Sequence, residues 1–315
     1  MTVYRTLTLV AAALLAIAGC SDDPDAGTAR SPVIPAPPPQ FWSTPADTPQ
    51  QQAAVAQATR QIDVCALLPR DTLDDLGLGE IQDITIGLDS CRALLGDPAA
   101  TLTWHSTLLP PLEPRLGTSK QIGDVSVLLV PDREPGGRAC GATARFPSGA
   151  AFYLGLTVPN KDSCAVADGL LAGMIDRWRQ SPAQGTSPDT VSTVLLGADP
   201  CAVRAKLDGT ADTGEWRLTQ CLFRYRGETV TVAYDYRVTD QVHARATEEK
   251  IGDRTVFRTT SLYDSSIPIY TAVVGPELPL DSTASVPRVP AVEVTSATDN
   301  VAREVMAQVL TLFPQ

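Results

Sequence analysis

The sequence predicts an α+β fold built twice in tandem: two similar domains, each an antiparallel sheet with an N-terminal short helix and a C-terminal amphipathic helix, stapled by disulfides. The first observation behind this is an internal repeat. Asp63-Val64-Cys65-Ala66-Leu67 returns as Asp199-Pro200-Cys201-Ala202-Val203, and Cys91 returns as Cys221. Thr101-Leu102-Thr103-Trp104 returns as Thr231-Val232-Ala233-Tyr234, and Lys120-Gln121-Ile122-Gly123-Asp124 as Glu249-Lys250-Ile251-Gly252-Asp253. The second is a set of short runs that alternate apolar and polar residues between Gly- and Pro-containing turns. The third is that each half closes on a stripe of helical period. With 315 residues, 43% of them apolar, the chain has the length of two domains and enough apolar surface for real cores.

Taken from the N-terminus, residues 1–19 read as a lipoprotein signal peptide. Arg5 supplies a positive start, and Leu7 to Ala18 form an apolar run too short to span a bilayer, which needs ~20 residues. The run ends in Leu15-Ala16-Ile17-Ala18-Gly19-Cys20. This resembles the bacterial lipobox, which implies lipid transfer to the Cys20 thiol, cleavage before it and acylation of the new amino end. The protein is then anchored to the extracytoplasmic face of the cell membrane rather than spanning it. Residues 20–58 read as a Pro-rich disordered tether, with Pro37-Pro38-Pro39 at its centre. Asp22, Asp23 and Asp25 lack the spacing and distal Glu of a calcium loop and read as solvated linker.

The first repeat is expected over 59–180. Residues 65–78 read as a short helix with Leu67, Leu68, Leu73 and Leu76 on one side. Residues 91–95 and 101–106 read as a hairpin across Gly96-Asp97-Pro98, followed by strands at 125–130, 142–146 and 150–158. A helix over 163–179 closes the domain, with Ser163 as N-cap and Val166, Leu170, Leu171, Met174, Ile175 and Trp178 as its stripe. The Ser-, Pro-, Gly- and Thr-containing residues 181–193 are the expected linker. The second repeat, 194–315, carries a hairpin of strands 221–225 and 229–236 across Gly227-Glu228, and strands at 255–260 and 269–274. Its closing helix covers 297–313, with Val301, Val305, Val309 and Leu312 in the stripe.

Apart from Cys20 there are six cysteines, which outside the cytoplasm most simply make three disulfides with 15 connectivities. The repeat narrows these: if both halves keep one bridge, the pairs are Cys65–Cys91 and Cys201–Cys221, leaving Cys140–Cys164 as the extra bridge of the first half. No Cys-x-x-Cys redox motif occurs. The pattern of Asp63, Cys65, Ala66 and Leu67 with Cys91-Arg92, and of Asp199-Pro200-Cys201-Ala202 with Cys221, resembles a family of actinobacterial, mycobacterial-type lipoproteins of unknown function. The bias of 21 Arg against 4 Lys fits a GC-rich genome of that kind. The resemblance implies location and fold type and carries no defined chemistry. The doubled unit and the Cys140/Cys164 pair depart from the family's pattern.

There is no Gly-x-Ser-x-Gly elbow, Ser-x-x-Lys pair or phosphate-cradling Gly-x-x-x-x-Gly-Lys, and no cofactor motif. His105 and His243 are the two imidazoles, and in the repeat His105 aligns with Asp235. No His/Cys/Asp cluster has zinc-ligand spacing. Asp74-Asp75 reads as a solvated helix face. Trp104, Trp178 and Tyr234 have the spacing of core residues, whereas Trp216 lies outside any apolar pattern and is the candidate ligand contact. A net charge of −11 argues against a nucleic-acid partner, which needs a basic stripe. The expected function is a non-enzymatic binding, interaction or ligand-sensing module of the cell envelope, meeting an envelope protein or a small ligand. The alternative is a carrier of a lipid or other hydrophobic ligand between membrane and wall. A pocket, if present, is expected between the domains.

Overall fold

The structure, a computed structural model, describes residues 36–112, 117–132, 138–214, 217–261, 264–279 and 286–313. Fourteen strands among them form two separate seven-stranded antiparallel sheets. The first holds β1 (Ile81–Ile86), β2 (Ser90–Leu95), β3 (Ala100–Leu108), β4 (Thr118–Ile122), β5 (Val125–Pro131), β6 (Ala139–Arg145) and β7 (Ala150–Thr157). The second holds β8 (Ala211–Asp212), β9 (Gln220–Tyr225), β10 (Glu228–Val238), β11 (Thr247–Ile251), β12 (Arg254–Thr260), β13 (Pro268–Val273) and β14 (Arg288–Thr295). The strand orders are β1-β2-β3-β7-β6-β5-β4 and β8-β9-β10-β14-β13-β12-β11, so the second sheet repeats the first strand for strand. In each, three strands run as a meander, the chain crosses to the far edge, and a four-stranded meander returns until its last strand closes on the third.

Each sheet buries one face under its closing helix, α4 (Ser163–Arg179) or α6 (Asp299–Leu310). Ala167, Leu170, Leu171, Met174, Ile175 and Trp178 are buried along α4, and Ala302, Val305, Met306, Val309, Leu310 and Phe313 take the same places at the second helix. The N-cap of α4 is Asp162 rather than Ser163: its carboxylate accepts from Cys164 N at 2.9 Å and Ala165 N at 3.2 Å. A carboxylate one residue earlier faces two free amides and the positive end of the helix dipole, so it outcompetes the hydroxyl. Ser163, one residue in, instead accepts from Val158 N and donates to Arg138 O.

Two expected elements are altered. The helix over 65–78 is interrupted by Pro69, leaving a 3-10 turn at Cys65–Leu67 and a five-residue α3 (Arg70–Asp74). The residue before a proline is pushed out of the helical region, as the Leu68 backbone is. The disordered tether expected over 20–58 ends earlier. Gln40–Ser43 form a single-turn helix, α1, and Pro49–Arg60 form α2, begun by a capping box between Thr48 and Gln51. Trp42 is fully buried, its ring 5.5 Å from that of Trp178 and its Nε1 donating to Ser181 Oγ at 3.0 Å. Residues 181–193, expected as a linker, are strapped to the first domain. Asp63, 1% exposed, accepts from Cys65 N, Ser187 N and Thr190 Oγ1. Gln184 donates to the carbonyls of Arg60 and Ile62, and Arg70 pairs with Asp189.

Cys65 is joined to Cys91, Cys140 to Cys164 and Cys201 to Cys221, with Cα separations of 5.4, 5.1 and 5.1 Å. In both repeats an aspartate caps the turn that carries the first cysteine: Asp63 accepts from Cys65 N and Asp199 from Cys201 N. That is the physical content of the repeated Asp-x-Cys.

Candidate functional site

Strand register sets the correspondence between the domains, and it corrects the sequence alignment of the hairpins. Cys91 lies opposite Trp104, and Cys221 lies opposite Val232. Trp104 therefore corresponds to Val232 rather than Tyr234, and His105 to Ala233 rather than Asp235. The cause is turn length: Leu95 and Ala100 flank four residues, whereas Tyr225 and Glu228 flank only Arg226 and Gly227, both with positive φ. A slip of two residues keeps every side chain on its own face, so the hydrophobic pattern cannot reveal it.

Among the sequence-derived candidates, Cys20 and Trp216 lie outside the described residues, as do Asp22, Asp23 and Asp25. Trp104 is buried and donates to Val64 O at 2.7 Å; Trp178 and Tyr234 are also buried. The two histidines do not meet. His243 ends the short helix α5 (Thr239–His243) against Phe257, while His105 sits on β3. Among the described residues no three of His, Cys, Asp and Glu converge as metal ligands, and no helix is long and apolar enough to cross a membrane.

The crevice between the domains, the expected place for a pocket, is largely closed by Arg60 at the end of α2. Its guanidinium donates to Leu218 O at 2.8 Å and pairs with Asp199 at 3.2 Å, with 8% of the side chain exposed. Burial lowers its pKa, and Asp199 opposes that shift. Gln61 donates to Gly197 O across the same junction. Tyr236 of β10 packs into the core of the first domain and shares a 3.0 Å hydrogen bond with Thr193. What remains is a small cleft with a cavity volume of about 20 Å³, lined in part by Asp89, Ser106, Thr219 and Tyr234. Burial, helped by the charge of Asp235, pushes the Asp89 carboxyl up to about 6.

A broader opening lies on the face of the first sheet turned away from α4. Ala142, Ala144, Leu154 and Leu156 point into the core, so their strand neighbours Gly141, Thr143, Tyr153 and Gly155 point outward. With Thr101, Thr103 and Thr157 they line a groove of about 1370 Å³ that includes open solvent. The Tyr153 ring lies over both glycines. A Cβ at Gly141 would stand 2.7 Å from the Tyr153 hydroxyl, and one at Gly155 would stand 2.9 Å from the ring. His105 lies beside it, ring centroids 5.2 Å apart, and burial lowers the His105 pKa. Sequence reasoning passed over Tyr153, Gly141 and Gly155. The signal was present, because glycine inside a strand marks a close approach from its own face.

Compared with protein-family models, with curated proteins and with solved structures, the chain matches none.

Proposed function

We propose that this protein is a lipid-anchored, extracytoplasmic binding module without catalytic activity, held to the cell membrane through Cys20 and presenting the outer face of its first sheet to an envelope partner or ligand. The observation that carries the reading is that face: among the described residues it has no covering layer, and an aromatic ring is spread across it. The three disulfides support an oxidising compartment. The burial of Trp42 supports a short tether, since the chain leaving the membrane is seated in the domain from that residue onward. The carrier reading draws less support, because the three cavities described lie between the domains, on the open sheet face and beside α2, outside either core. Val286 is the one large hydrophobic residue exposed among the described residues, so the described surface carries no extended patch of large apolar side chains.

The test is native mass spectrometry of the full chain purified from the membranes of the cells that make it, beside a Cys20→Ser variant. The expected result is a mature chain beginning at Cys20 with acyl mass attached, absent in the variant, and a noncovalent adduct or cross-linked neighbour on the folded part. An unacylated chain would overturn the anchor, and a bare chain without adduct or neighbour would overturn the binding role.

A further inference from the structure

The duplication supplies an internal comparison for the open face. Tyr153 lies opposite His105 and Thr143, and Glu293 lies opposite Ala233 and Thr271. Tyr153 thus corresponds to Glu293. In the same way Gly155 corresponds to Thr295, Gly141 to Ile269 and His105 to Ala233. The second sheet keeps the frame but fills it differently. The Glu293 carboxylate is tied to Arg237, and neither a glycine nor an aromatic ring stands at these positions. A sheet needs neither glycine for its stability, and each weakens a strand relative to a side chain that packs. In the first copy the two glycines let a tyrosine lie flat, and that requirement is absent from the second.

The chemistry of the first face is narrow. Its lining carries the hydroxyls of Thr101, Thr103, Thr143, Thr157 and Tyr153, each able both to donate and to accept. Among the described residues of the lining, Asp132 at the rim is the one charged side chain. The one cation that register places beside the groove is Arg92, opposite Thr103 and outside the lining, and an acyl chain would find an open groove with hydroxyls instead of an apolar tunnel. A peptide adding as a strand needs a sheet edge, whereas Tyr153 lies on β7 between β3 and β6. A ligand with its own flat C–H face and a rim of hydroxyls matches both the ring and the threonines.

We propose that the outer face of the first sheet binds an uncharged oligosaccharide segment of an envelope glycan, with the Tyr153 ring against the C–H face of one sugar and the threonine hydroxyls and His105 around it. The proposal rests on the binding-module reading and names its ligand class. The experiment uses the full chain in detergent micelles with isotope-labelled Tyr and His rings, titrated by NMR with cellohexaose, maltohexaose and an N-acetylglucosamine hexamer. At least one sugar is expected to shift the Tyr153 and His105 signals saturably. Tyr153→Ala should weaken that sugar at least tenfold, and Tyr153→Phe, which keeps the ring, should stay within threefold. Gly155→Thr, which installs the residue of the second copy, should lift the ring and also weaken binding. Silence with all three sugars, or equal binding by Tyr153→Ala, would overturn the proposal. Envelope extract added to the same sample separates the two readings. Shifts with extract but with no sugar overturn the ligand class and leave the binding module standing; silence with both overturns both.

Discussion

Trp42 shows how much one side chain changes the description of this molecule. It lies in a proline-rich stretch with no periodicity, yet its indole completes an aromatic cluster with Phe146, Phe152 and Trp178 at the end of the first core. Removing a buried Trp typically costs 3–5 kcal/mol, and Trp42→Ala should cost about that much if the end of the core cannot collapse. Urea unfolding of the first domain would check this. A midpoint unchanged from wild type would mean that the segment merely rests on the surface. Sequence reasoning missed Trp42 because a single anchor has no pattern; its burial depends on a hollow built by residues more than a hundred positions away. Asp63 is the converse case. Its recurrence as Asp199 made it visible, while its reach to Ser187 and Thr190 was not.

At the scale of elements, the two closing helices are fastened to their sheets by different chemistry. Aligning their buried stripes places Asp299 where α4 has Cys164, and strand register places Pro268 where β6 has Cys140. Where the first domain has a disulfide, the second has a fork: the Arg258 guanidinium donates to both Asp299 oxygens at 2.6 and 2.8 Å, and the Tyr270 hydroxyl donates to one at 3.1 Å. Arg258 holds the Asp299 carboxyl below its usual range. Both partners are partly exposed, so Asp299→Ala should cost only about 0.5–1 kcal/mol. Replacing Cys140 and Cys164 by Ala should cost more, on the order of 2–4 kcal/mol. Comparing the two variants in denaturant is the check, and equal losses would refute the ranking. The strands missed at sequence level also have physical reasons. β14 contains Pro290, which argues against a central strand, yet it sits near the strand end where its missing N–H is tolerated. β4 and β11 are half-exposed edge strands with mostly polar residues, so no apolar alternation marked them.

For the molecule as a whole, the junction between domains couples its stability to pH. Asp89 faces the cavity with Arg60 and Tyr234, and its carboxyl is pushed up to about 6 by burial and by the charge of Asp235. A raised carboxyl pKa stabilises the docked state fully below the unfolded value near pH 4, and the contribution is lost as pH rises through 6. Asp89→Asn should therefore raise the melting temperature at pH 7.5, by about 1–2 kcal/mol of stability, and leave it almost unchanged at pH 4. An equal gain at both pH values would show that the carboxylate is not the source.

Much was already decided by local chemistry. The α+β class, the doubling, most strands of both hairpins and the two closing helices followed from turn residues, periodicity and recurrence, because those depend on neighbours a few positions apart. Tertiary structure alone decided the rest. The pairing of β3 with β7 and β10 with β14, the seat of Trp42, the strapping of 181–193 to Asp63 and the Arg60 bridge all join residues far apart in the chain. The open face belongs to the same class: Gly141, Tyr153, Gly155 and His105 become one surface only when three strands take up register, and register is set by turns and packing that the order of residues does not display.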